Sequence, residues 1–114
     1  MQRVSEEDPK YGDVVLWLDF YSQLLTPRTR EVLELHYNED MTLSEIAEHL
    51  GITRQGVHDK IRQGLNHLTS YETNLGLVRR FLDQKIQVAQ AIAALDQGKV
   101  DLARETLVRL HELL

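Results

Sequence analysis

Apolar residues recur every three or four positions along most of the chain, and no segment alternates apolar and polar residues as a half-buried strand would. The first stripe, Val14, Leu18, Tyr21 and Leu25 with Trp17 and Leu24 beside it, predicts a packing helix that opens after Asp13 as N-cap. Thr26 and Pro27 then predict a second helix, because proline fits the first helical position; Val32, Leu33, Leu35 and Tyr37 are its apolar residues and Asn38 ends it. After the polar link NEDM, the string TLSE pairs Thr42 with Glu45 as a capping box, and Leu43, Ile46, Ala47 and Leu50 face inward until Gly51 stops the helix. Thr53 caps the next helix, whose buried stripe is Val57, Ile61, Leu65 and Leu68.

Gly56 and Gly64 interrupt that helix at a cost of roughly 1 kcal/mol each relative to alanine, so a close approach of another backbone is expected there. Gly76 marks a break. The remainder reads as two helices folded into a hairpin about DQGK, with Ile86, Ala89, Ile92, Ala93 and Leu95 facing Leu102, Leu107, Leu110 and Leu113. The pattern divides the chain into a helical domain over residues 1–70, with a helix-turn-helix core at residues 26–70, and a helical extension over residues 71–114. The fold class is all-α: a winged-helix-type DNA-binding three-helix core with a long C-terminal hairpin. That hairpin resembles a single tetratricopeptide-type unit, and one such unit cannot bury its own face. It either closes over the amino-terminal helices or leaves an apolar surface for a second copy; the leucines of the last helix favour the homodimer.

The short capped helix, the turn at Gly51 and the helix opening at Thr53 carry the functional expectation. Each residue advances about 100° around a helix, so Gln55, Asp59, Arg62 and Asn66 point away from the buried stripe, with Arg54, His58 and Lys60 on the flanks. Thr42, Ser44 and Thr53 sit at two helix N-termini, where anions are favoured. Candidate nucleic-acid or partner-binding residues are therefore Thr42, Ser44, Thr53, Arg54, Gln55, His58, Asp59 and Arg62. Arg28 and Arg30 are placed for ion pairs with Glu31 and Glu34 rather than for phosphate, and Trp17, Phe20 and Tyr21 are packing anchors rather than base-stacking platforms.

Charge tempers the expectation of a tight polyanion binder. The net charge is −5; residues 1–25, 26–70 and 71–114 contribute −3, −2 and 0. Without cysteine there is neither a disulfide framework nor a thiolate site. The histidines, at positions 36, 49, 58, 67 and 111, form no i, i+4 pair, so no metal is expected. No phosphate loop, dinucleotide fingerprint or nucleophile with its base is present, so neither a cofactor nor an enzymatic activity is expected. With no secretory signal and no run of about 18 apolar residues, the cytoplasm is the expected compartment.

The ordered string LTPRTREVLELHYNEDMTLSEIAEHLGITRQGVHDKI resembles the promoter-reading helix-turn-helix of bacterial sigma factor region 4. That resemblance implies that Arg54, Gln55, His58 and Asp59 occupy positions used to read DNA. Gly56 and His58 stand where that family tends to place arginines, and Asp59 brings a negative charge to the face. A longer resemblance, carried by LDFYSQLLT at residues 18–26, LSEIAEHLGITRQGVHD at 43–59 and YETNLGL at 71–77, is to the YlxM family, small helix-turn-helix proteins associated with the signal recognition particle genes. It implies a non-enzymatic regulator in protein targeting whose partners are signal recognition particle components, their RNA or GTPase. A DNA-binding transcriptional regulator and a scaffold that binds through its C-terminal hairpin are the competing expectations.

Overall fold

The computed structural model describes residues 9–114; the acidic stretch before them lies outside the described residues. All regular structure among the described residues is helical: α1 (Tyr11–Tyr21), a single 3₁₀ turn (Ser22–Leu24), α2 (Pro27–Tyr37), α3 (Leu43–Leu50), α4 (Arg54–Leu75), α5 (Leu77–Asp96) and α6 (Val100–Leu113). The chain divides into two compact units at Gly76, beyond residue 70, because α4 continues to Leu75 before Gly76 caps it in the left-handed conformation (φ 63°).

In the first unit α4 packs against α1, α2 and α3, and its stripe Val57, Ile61, Leu65 and Leu68 is buried. Val14, Leu18 and Tyr21 of α1, Val32 and Leu33 of α2 and Ile46 of α3 close the core. Each such side chain contributes about 1.5–3 kcal/mol by leaving water. The Tyr21 hydroxyl donates to Glu72 Oε1 at 2.6 Å, so the one polar atom that α1 carries into this core is satisfied.

Three local expectations are corrected. Asp13 does not cap α1; the helix begins a turn earlier, with Lys10 at the N-cap and Asp13 in the first turn, where its charge favours the helix dipole. Thr26 occupies the N-cap of α2, yet its hydroxyl donates to Thr29 Oγ1 (2.9 Å) instead of accepting a backbone amide. Leu24 is 55% exposed, because the helical period ends at Tyr21 and the 3₁₀ turn rotates it outward.

The second unit is the α5–α6 hairpin, turned at Gly98 (φ 73°) with Lys99 N–H bonding back to Ala94 O at 2.8 Å. Its buried seam is Ala91 and Ala94 with Ala103, Thr106 and Leu110, small side chains that let two helix axes approach closely. At the open end Arg80 Nη2 donates to Leu113 O at 3.0 Å. This overturns the expected facing of Ile86, Ala89, Ile92, Ala93 and Leu95 onto Leu102, Leu107 and Leu113: Ile86, Ile92 and Leu95 are each more than half exposed, and of the four α6 leucines only Leu110 is buried. Ala91 and Ala94 lie on the side of α5 away from the large apolar residues, and it is their side that meets α6. Among the described residues no helix is long and apolar enough to cross a membrane.

Candidate nucleic-acid interface

The interface is built from the two capped helix starts on either side of Gly51. Thr42 and Glu45 close the reciprocal box, Thr42 N–H donating to Glu45 Oε1 (2.9 Å) and Glu45 N–H to Thr42 Oγ1 (3.1 Å). Hydrogen bonds from the Thr42 amide, then its hydroxyl, lower the Glu45 carboxyl from its ordinary value. Gly51 takes the left-handed conformation (φ 68°), and Ile52 N–H returns to Ala47 O at 3.1 Å. Thr53 then caps α4, its hydroxyl accepting from Gly56 N–H at 2.9 Å.

Gly56 belongs to this cap, because a Cβ there would sit 3.1 Å from Thr53 Oγ1. At Gly64 it is side chains of α2, not its backbone, that come close: a Cβ would lie 2.4 Å from Leu33 Cδ1 and 2.9 Å from Thr29 Cγ2, so the missing side chain makes room for them at the α2–α4 crossing.

The residues expected on the outer face lie there. Gln55, Asp59, Arg62 and Asn66 are exposed, as are Thr42, Ser44, Thr53 and Arg54. His58 and Lys60 are half-buried on the flanks. Arg54, Gln55, Asp59 and Arg62 are exposed along the first three turns of α4, with Lys60 on the opposite flank; Thr42 and Ser44 belong to the start of α3.

Two contacts set the chemistry of the face. Gln55 Nε2 donates to Asp59 Oδ1 at 2.8 Å, which directs that carboxylate along the helix and occupies the glutamine amide. His58 Nδ1 is buried with no hydrogen-bond partner among the described residues and lies 3.8 Å from the same Asp59 oxygen. The face is thus mixed: Arg54, Lys60 and Arg62 offer cationic contacts to phosphate, and Asp59, held between Gln55 and His58, repels it. Arg28 pairs with Glu31 (3.6 Å) as expected, whereas Arg30 donates to Gln23 Oε1 (3.2 Å). Among the described residues no cluster of three or more His, Cys, Asp or Glu could hold a metal.

The clamp behind the turn is the feature the sequence did not reveal. Tyr11 OH lies 2.7 Å from Asp40 Oδ1 and also meets the Tyr37 carbonyl, tying the start of α1 to the link between α2 and α3. Asp40 holds a positive φ (56°) in that link, and His36 Nδ1 bonds Met41 O at 2.9 Å. The sole trace in the sequence is the position of Asp40 in a short polar link, where aspartate tolerates the left-handed region.

A family model described as "Putative helix-turn-helix protein, YlxM / p13 like" (UPF0122) matches residues 12–106. The chain is 48% identical over 106 residues to a UPF0122 protein of Acetivibrio thermocellus, covering 90% of this chain and 91% of that one. It is 44% identical over 105 residues to one of Desulforamulus reducens (92% and 90% covered) and 38% identical over 97 residues to one of Exiguobacterium sibiricum (84% and 85%).

Proposed function

The chain belongs to the UPF0122 family of YlxM/p13-like helix-turn-helix proteins, and from that membership we propose a non-enzymatic regulator of the signal recognition particle pathway that binds the particle's RNA through the first turns of α4. The observation that carries this reading is the exposure of Gln55, Asp59 and Arg62 on the face of α4 away from its buried stripe, with Arg54 exposed at the first position of the same helix. Arg54, Lys60 and Arg62 supply the contacts to phosphate, which fix position on a nucleic acid without reading its sequence. Asp59 lowers affinity for a uniform phosphate rail and favours a ligand whose phosphates are irregularly spaced, as in a folded RNA. The proposal places the chain in the cytoplasm, where the targeting pathway begins.

A second reading, sequence-specific duplex DNA binding, is favoured by the exposed N-terminal turns of α4, the part of a recognition helix that enters a major groove. It requires Gln55 to exchange its bond to Asp59 for one to a base edge.

The test is a titration of the intact chain against signal recognition particle RNA, the pathway's GTPase and mixed-sequence duplex DNA at low salt. RNA binding weakened roughly tenfold by Arg54→Ala and again by Arg62→Ala is expected, since each removes one charge-assisted contact. No RNA retardation at low salt sinks the proposal. Binding confined to the GTPase keeps the pathway and removes the nucleic acid; a base-specific duplex complex establishes the second reading.

A further inference from the structure

The second unit exposes an apolar surface that its own two helices do not use. Among the described residues seventeen large apolar side chains are exposed, and thirteen of them fall within residues 77–114. On α5 they form one broad arc: Phe81, Val88 and Ile92 run along one side of it and Leu82 and Ile86 along the other. The seam with α6 lies on the opposite side, at Gln84, Gln87, Ala91 and Ala94. Val78, at the start of this arc, is already buried; beyond it, a helix that keeps Phe81, Leu82, Ile86, Val88 and Ile92 exposed on the side away from its hairpin partner is patterned for a second packing event.

Two charged residues lie within this arc, Lys85 and Asp96, and both are exposed. They are eleven positions apart, close to three full turns, and so lie on one line along the helix about 16 Å from each other. That placement selects the occupant. A copy of α5 laid antiparallel about a two-fold axis between residues 90 and 91 brings Lys85 opposite Asp96 of the second copy, and by symmetry Asp96 opposite its Lys85. The same register sets Ile92 level with Ala89 of the second copy, a large side chain against a small one. A parallel arrangement would oppose lysine to lysine and aspartate to aspartate.

We infer that the exposed arc of α5 is a homodimer interface in which two hairpins join through antiparallel α5 helices, each α6 on the outer side, locked in register by reciprocal Lys85–Asp96 pairs. Isologous contacts of this kind need the same patch on both copies to be self-complementary in shape and charge, and this arc is. A standard interface buries about 800 Å² per partner, within reach of one face of a 20-residue helix and its flanks. The dimer carries two helix-turn-helix units, so a ligand with two sites gains avidity. The inference does not depend on the ligand proposed above.

Sedimentation of the full chain over a range of concentrations tests it, with circular dichroism to show that each variant keeps its helices. The wild type is expected to sediment as a dimer, and Ile92→Glu to weaken it about a hundredfold by placing a carboxylate at the centre of the contact. Lys85→Glu alone and Asp96→Lys alone each weaken it roughly tenfold, and the double variant recovers the wild-type constant, because the exchanged charges again meet as opposites only in the antiparallel register. A wild type that stays monomeric at about 100 μM, far above the concentrations of specific association, overturns the inference. So does a dimer indifferent to Ile92→Glu, or one whose charge reversals are not mutually restoring.

Discussion

Tyr11 shows how one hydroxyl can hold a loop for a recognition surface. Its proton is shared among the acceptors at the start of the α2–α3 link, chiefly Asp40 Oδ1, and ionising it would set a phenolate against a carboxylate. That hydrogen bond to Asp40, ahead of desolvation and charge repulsion, pushes the phenol up to about 12. An unfolded chain releases the same proton near pH 10. The folded pKa lies above the unfolded one, so the contribution to stability is complete below about pH 10 and is lost as pH climbs through about 12. The phenolate absorbance that develops near pH 12 should therefore be smaller by one tyrosine in Tyr11→Phe. The stability difference between the two proteins should hold constant from pH 6 to about 10 and then vanish. If the absorbance change near pH 12 is undiminished in Tyr11→Phe, the Tyr11 phenol is not held protonated by the clamp.

At the scale of the elements, α4 gains its position by giving up a side chain. Alanine for glycine inside a helix is ordinarily favourable by about 1 kcal/mol, but at Gly64 the new methyl would meet Leu33 Cδ1 at 2.4 Å. Leu33 and Thr29 are both buried, so either would have to shift within the packed core. Overpacking of this kind costs about 1–3 kcal/mol, which offsets or exceeds that gain, so Gly64→Ala should lower the urea midpoint with an unchanged slope, a net loss of up to about 2 kcal/mol. A raised midpoint would mean that α2 and α4 are not in contact at this crossing. The existence of such a crossing was legible from a glycine inside an otherwise regular stripe; which helix passed there was not, because glycine leaves no chemical label for its neighbour. The capping box at Thr42, the stop at Gly51 and the buried face of α4 were likewise readable, since each depends on residues within a turn or two. The α5–α6 seam was misread for a physical reason: periodicity shows which residues avoid water, not which partner removes them from it, and α5 turns its small face, not its large one, to α6. The exposed residues of the α4 face followed from the buried ones by helical geometry, whereas the Gln55–Asp59 bond depends on rotamers that spacing does not specify.

For the molecule as a whole, the distribution of charge governs how any nucleic acid would be held. Residues 1–76 carry 7 basic and 13 acidic side chains and residues 77–114 carry 6 and 5, so the unit that bears α3 and α4 is the acidic one. On the proposed face of α4 the cations are Arg54, Lys60 and Arg62, within a field that repels polyanions at longer range. Each phosphate neutralised releases counterions and steepens the salt dependence by about 0.7–0.9 in the log–log slope. Three contacts per chain therefore predict a slope of about −2 to −3, and screening of the acidic remainder makes it shallower still. Measured by titrating the RNA at a series of salt concentrations, Arg54→Ala and Arg62→Ala should each remove somewhat less than one from that slope. A slope steeper than about −5 would require cations beyond this helix face, and the basic residues of 77–114 would then be the ones to replace. A slope unaltered by either substitution would mean that the ligand is held elsewhere, since a charge that touches phosphate cannot be removed without changing the number of ions released.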